Sequence, residues 1–195
     1  MRICFVGDSM VNGTGDPEYL GWTGRVLRHE RKRQPELTGY NLGIRRDTSG
    51  QILARWREEV TRRLPAEIEG RAVFSFGVND AVQEVDPKQS LAHAEAILDG
   101  AGARWPVFMV GLVPIVPADA RERSRKLDAA FAELSARLGI PFLSVFDGLM
   151  ETSTWLDEAR AGDGAHPGAG GYARLAELVL ASATWRRWMD IASAP

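Results

Sequence analysis

Five short apolar runs alternate along this chain with longer stretches of helical periodicity. The runs are Ile3 to Val6, Tyr40 to Leu42, Ala72 to Phe76, Val107 to Leu112 and Pro141 to Val145. Four are almost continuously apolar and rich in Val, Ile and Phe, the composition of strands covered on both faces. Between them, Ile52, Trp56 and Val60 recur every four residues, with Leu53 and Leu64 on nearly the same side. Leu127, Ala130, Phe131, Leu134 and Leu138 form a second stripe, and Tyr172, Leu175, Ala176 and Val179 a third. This rhythm predicts a parallel α/β sheet with right-handed crossovers. Such sheets bind ligands at the carboxyl ends of their strands, where the strand order reverses. The residues that follow the runs are therefore the ones to read for function.

Ser9 follows the first run in Gly7-Asp8-Ser9, at the start of the small-residue loop Met10-Val11-Asn12-Gly13-Thr14-Gly15. Asn79 follows the third, in Gly77-Val78-Asn79-Asp80, so both are expected on one edge of the sheet. A serine hydroxyl needs a base to act as a nucleophile, and the chain has 3 histidines. His29 lies in the charged stretch Arg28 to Arg33 and His93 in a helical pattern; both read as structural. His166 follows Asp163 by one turn in Asp163-Gly164-Ala165-His166-Pro167, where a carboxylate can hold the imidazole tautomer and stabilise imidazolium. Attack by Ser9 on an acyl carbon creates an oxyanion, for which the Asn79 amide and the Ser9 backbone N–H are donors. Asp80 is read as a cap for the helix that follows it.

The bulk properties narrow the class. With 195 residues the chain fits one domain, 1–195, and a net charge of −2 gives no case for a nucleic-acid partner. The single cysteine, Cys4, excludes an internal disulfide. No apolar run is long enough to span a membrane, and the first strand starts directly after Met1-Arg2, so a cytoplasmic location is expected. Gly168-Ala169-Gly170-Gly171-Tyr172-Ala173 fits Gly-x-Gly-x-x-Ala but lacks the preceding strand of a dinucleotide site. Gly-x-Ser-x-Gly, His-Glu-x-x-His and paired cysteines are missing from the sequence, so neither a metal nor an organic cofactor is expected.

Taken together, Gly7-Asp8-Ser9-Met10, Asn41 to Thr48, Gly77-Val78-Asn79-Asp80 and Asp163-Gly164-Ala165-His166 resemble the ordered blocks of the SGNH-hydrolase superfamily, the GDSL-type lipases and esterases. The resemblance implies a flavodoxin-like three-layer α/β/α sandwich around a five-stranded parallel sheet. It also implies Ser9 as nucleophile, His166 as base and Asp163 as its orienting acid. One block departs from the pattern. Arg46 stands where the family has a glycine whose backbone N–H completes the oxyanion hole, while Gly43 reads as a structural residue ending the second strand. The expectation is that Arg46 still donates its backbone N–H, and that Arg45 or Arg46 pairs with Asp47 or a nearby acid, the alternative being that one of the two guanidinium groups meets an anionic substrate group.

The function expected is that of a serine ester hydrolase cleaving a small-molecule carboxylic ester through an acyl-enzyme. A thioesterase or a carbohydrate deacetylase would use the same groups. A non-enzymatic alternative is a flavodoxin-like module whose loop at Gly13 and Gly15 cradles phosphate. Met10, Trp22, Pro114 and Ile115 are the candidate substrate pocket, and Trp155 shares their kind of loop context. Trp185 and Trp188 are expected to pack the last helix.

Overall fold

The computed structural model describes residues 1–190; the last five residues of the expected 1–195 domain lie outside the described residues. Five strands, β1 (Arg2–Gly7), β2 (Thr38–Gly43), β3 (Gly70–Ser75), β4 (Val107–Val110) and β5 (Phe142–Leu143), form one parallel sheet in the order β2-β1-β3-β4-β5. The helices are α1 (Ser9–Asn12), α2 (Gly21–Glu30), α3 (Ser49–Arg63), α4 (Val78–Val82), α5 (Pro87–Gly102), α6 (Ala118–Arg137), α7 (Phe146–Met150), α8 (Thr154–Ala161), α9 (Ala169–Ala181) and α10 (Ala183–Met189). The chain steps from β1 outward to β2, then back past β1 to β3, β4 and β5. Right-handed crossovers therefore put α2 on one face and α3, α5 and α6 on the other. Accordingly α3 packs on α5 and α5 on α6, while α9 packs on α2, α8 and α10. The reversal lies between β1 and β3, and Ser9 and Asn79 follow those two strands.

The three helical stripes lie in α3, α6 and α9, with Ile52, Trp56 and Val60, Leu127, Phe131 and Leu134, and Tyr172, Leu175, Ala176 and Val179 all buried. β1 is an interior strand, between β2 and β3: Ile3, Cys4, Phe5 and Val6 have no solvent exposure, and burial pushes the Cys4 thiol up to about 12. β2 is an edge strand with mostly half-exposed residues, which is why its apolar signal is weak. β4 ends before the expected Leu112, because Asp128 on α6 accepts the Leu112 amide at 2.8 Å and draws the chain off the sheet. Trp185 and Trp188 pack against Phe108 and each other, and the Trp185 indole N–H donates to Glu30 Oε1 at 2.9 Å. Among the described residues no helix is long and apolar enough to cross a membrane.

The carboxyl ends of β1, β2 and β3 meet with no room for side chains. Gly7 pairs with Gly43 on one side and Ser75 on the other. A Cβ on Gly7 would fall 2.0 Å from Ser75 O, and one on Gly43 would fall 2.2 Å from Asn12 N and 2.7 Å from Asp8 O. These glycines let α1 sit directly on the strand ends. Gly43→Ala is therefore expected to lower stability by about 2 kcal/mol, the usual range for overpacking against backbone that cannot move aside. An unchanged denaturation midpoint would show that the two segments separate freely.

Candidate active site

α1 begins at Ser9, which is 4% exposed, and Asp8 caps it by accepting the Met10 N–H on Oδ1 at 2.9 Å. As the first helical residue, Ser9 has a backbone N–H with no intrahelical acceptor. His166 arrives from the loop between α8 and α9. Asp163 Oδ1 accepts the backbone N–H of Ala165 at 3.1 Å and of His166 at 3.0 Å, folding the loop back on its own carboxylate. Asp163 Oδ2 lies 2.6 Å from His166 Nδ1, and His166 Nε2 lies 2.7 Å from Ser9 Oγ. An ionised carboxylate only accepts, so Nδ1 carries the imidazole proton and Nε2 presents its lone pair to the Ser9 hydroxyl.

Partial burial pushes the Asp163 carboxyl upward, but the backbone and ring N–H groups of His166 and the Ala165 N–H outweigh it and hold the group at about 2. Asp8 has the opposite fate. Full burial, only partly offset by the Met10 N–H and reinforced by Asp80 and Asp47, pushes it up to about 7. Its Oδ2 has no hydrogen-bond partner among the described residues.

Across from the histidine, Asn79 Nδ2 donates to Asp47 O at 3.0 Å, which leaves one amide hydrogen for another acceptor. Arg46 has φ +73°, a left-handed conformation that explains the usual glycine there. Its backbone N–H donates to no group among the described residues, and its carbonyl accepts from Gln83 Nε2 at 3.4 Å. The expected pairing of Arg45 or Arg46 with Asp47 or a nearby acid is met between Arg45 and Asp163 and not at Asp47. Asp47 is held by Arg55, whose Nε lies 2.7 Å from Oδ2 and whose other nitrogens reach Gly7 O at 2.9 Å and Leu42 O at 3.1 Å. Arg45 instead reaches Asp163 Oδ2 at 3.5 Å, at the rim of the cleft, where both side chains are about half exposed.

Asp80 does not cap its own helix, whose N-cap is Gly77 without a side-chain bond. It caps α3 instead, accepting Ser49 N at 2.9 Å and Ser49 Oγ at 2.5 Å, and it also accepts Ser90 Oγ at 2.8 Å. His93 Nδ1 lies 3.0 Å from Ser49 Oγ, so this histidine joins the buried network rather than the Ser9 cleft. His29 is exposed, on α2.

The substrate-pocket expectation needs correction. Met10, Trp22, Pro114 and Ile115 are all buried. Trp22 stacks edge-on against Phe5 within the core, and Met10 sulfur lies 3.9 Å from the Tyr172 hydroxyl. Trp155 is buried too, its indole N–H donating to Pro114 O at 2.7 Å. The open cleft beside His166 is bordered by Thr14, Gly15, Pro17, Arg45 and Glu158. Arg55 and Glu158 were invisible to sequence reading, because a charged residue inside a helix carries no local sign of the backbone it will meet. Among the described residues no group of three or more His, Cys, Asp or Glu side chains could hold a metal ion.

Residues 5–174 match the model of the GDSL-like Lipase/Acylhydrolase family. No curated protein matches the chain in sequence. Among solved structures, a member of the lipolytic protein G-D-S-L family from Veillonella parvula is similar with a TM-score of 0.80 at 18% identity, over 94% of this chain and 98% of that one. A lipase/acylhydrolase from Enterococcus faecalis is similar with a TM-score of 0.78 at 21% identity, over 95% and 96%. An acetylxylan esterase from Geobacillus stearothermophilus is similar with a TM-score of 0.76 at 18% identity, over 98% and 94%. At these identities the structural likeness shows the fold.

The two carboxyls make opposite contributions to stability against pH. Asp163, held low, stabilises the fold fully above its unfolded value of about 3.9, and that stabilisation is lost as pH falls through about 2. Asp8, held high, binds its proton more tightly in the folded protein, so it destabilises progressively as pH rises from about 4 to about 7. Asp8→Asn is expected to flatten the stability profile across that interval and leave the more acidic region unchanged. Denaturation midpoints measured from pH 3 to pH 8 test this, and parallel wild-type and variant profiles would contradict it.

Proposed function

The chain belongs to the GDSL-like Lipase/Acylhydrolase family and is an ester hydrolase of that general type; on that premise we propose that Ser9 is its nucleophile, His166 its general base and Asp163 the group that orients the base. The observation that carries this reading is the unbroken line from Asp163 Oδ2 to His166 Nδ1 at 2.6 Å and from His166 Nε2 to Ser9 Oγ at 2.7 Å. Ser9 Oγ attacks the ester carbonyl carbon as its proton passes to His166 Nε2. Asp163, ionised throughout the neutral range, stabilises the imidazolium. The oxyanion meets the Ser9 and Arg46 backbone N–H groups and the free hydrogen of the Asn79 amide. His166 then protonates the leaving alcohol, and a water molecule activated by the same ring releases the acid.

The burial of Met10, Trp22, Pro114 and Ile115 supports a short acyl group, since these side chains are already packed in the core. Acetyl esters, the substrate type named for the Geobacillus relative, fit that description. The phosphate-cradle alternative is disfavoured at the same loop. Asp8 already occupies the N-terminus of α1, and the Gly13 N–H is committed to Ser9 O at 3.0 Å.

Four outcomes are expected. A serine-directed phosphonate should modify the folded protein at Ser9 and leave Ser9→Ala unlabelled; unmodified wild type would end the hydrolase reading of this site. Across 4-nitrophenyl esters of increasing acyl length, kcat/KM should be highest for the shortest acids, and a maximum at long chains would reject the short-acyl assignment. Asn79→Ala should cost on the order of 10²–10³ in kcat, the usual loss for one oxyanion donor. Arg46→Gly, which keeps the backbone N–H and suits φ +73°, should cost much less. Equal losses in the two variants would assign the function of Arg46 to its guanidinium.

A further inference from the structure

We propose that Glu158 is a positioning residue for His166, its carboxylate clasping the start of α9 to α8 and so fixing the loop between them; the inference rests on the assignment of Ser9 and His166 above. Glu158 Oε2 accepts the backbone N–H of Gly168 at 2.9 Å and of Gly171 at 2.7 Å, and Oε1 accepts that of Gly170 at 3.1 Å. α9 has no side-chain cap of its own, its N-cap being Gly168. The carboxylate of α8 thus satisfies three donors at the positive end of another helix.

The glycine-rich segment that resembled a dinucleotide fingerprint has its explanation here. A Cβ on Gly170 would lie 2.6 Å from Glu158 Oε1, and one on Gly171 would lie 2.5 Å from Pro167 Cβ and 3.1 Å from Glu158 Oε2. A side chain at Gly170 would push away the internal anion, and one at Gly171 would meet Pro167 first and crowd the same carboxylate. The spacing serves close approach by a carboxylate, as phosphate loops serve a ligand, but the anion belongs to the chain itself.

The clasp bears on His166 through the chain between α8 and α9. The first half of that loop is tied to the body: Gly164 N donates to Ala159 O at 2.8 Å, and Gly164 O accepts Val116 N at 3.0 Å. Beyond Gly164, the backbone N–H groups of Ala165 and His166 reach only Asp163 Oδ1, which belongs to the same loop and cannot anchor it. Pro167 has no N–H to give. The next backbone donor, Gly168, goes to Glu158. Glu158 therefore holds the C-terminal side of the histidine, which must keep Nε2 at 2.7 Å from Ser9 Oγ.

The test is the labelling of Ser9 by a serine-directed phosphonate, resolved into a saturable binding constant and a first-order modification rate. Glu158→Ala should lower the first-order rate about ten-fold or more, in line with the sensitivity of near-attack geometry to small displacements, and leave the binding constant within about two-fold. Glu158→Gln, which keeps one carbonyl acceptor, should fall between Glu158→Ala and wild type. The low-field proton signal of His166 Nδ1–H should weaken or broaden in Glu158→Ala while near-ultraviolet circular dichroism stays native. Wild-type modification rates in both folded variants would overturn the inference; if Glu158→Ala does not fold, Glu158→Gln decides alone. Failure of wild type itself to be labelled would instead remove the assignment of Ser9 on which the inference stands.

Discussion

Everything at the candidate site depends on how closely three backbones approach one another at the carboxyl edge of the sheet. Gly7 lies between Gly43 and Ser75, and Gly43 lies against the backbone of α1. Without a Cβ at either glycine, α1 rests on the strand ends and Ser9 stands over the point where the strand order reverses. The Arg55 guanidinium then ties the carbonyls of Gly7 and Leu42 to the Asp47 carboxylate. In this way the loop after β2 is fixed relative to the loop after β1 by one side chain from α3.

The two halves of the site are held by different devices. On the Asn79 side a buried carboxylate, Asp80, gathers Ser49 and Ser90, so that α3, α4 and α5 share one anchor, and Asn79 is aimed by the Asp47 carbonyl. On the His166 side the anchors are carboxylates turned toward backbone N–H groups, Asp163 within the loop and Glu158 beyond it. Environment also separates the two acids that flank Ser9 and His166. Asp163 is solvated and surrounded by donors, so it stays ionised; Asp8 is buried with one donor, so it holds its proton to about 7.

Legibility in the sequence followed chemistry. Polar residues placed directly after a buried strand, such as Ser9 and Asn79, stand out because a strand end in a parallel sheet opens on the ligand edge. Asp163 and His166 stand out because three residues of separation allow a carboxylate and an imidazole to meet. Met10, Trp22, Pro114 and Ile115 could not be sorted the same way, since an apolar side chain suits a core and a pocket equally. Asp80 is a cap, as its residue type suggests, but for α3 and not for the helix that follows it, because the donor it meets, Ser49, lies 31 residues away in sequence.

By itself the sequence determined the parallel sheet, the edge on which polar residues gather, and the residue types available there. Apolar periodicity and chain order carry that information, and both are properties of neighbours along the chain. The tertiary structure alone decided that Arg46 adopts a left-handed backbone, that Asp47 pairs with Arg55 while Arg45 turns to Asp163, and that the glycines before Tyr172 enclose a carboxylate from α8. The first is a backbone angle set by the surrounding packing, and the others join residues 8 or 12 positions apart or, for Arg45 and Asp163, 118 positions apart. Which partner a charge or an N–H group meets is set by packed helices and strand register, and no local pattern records that.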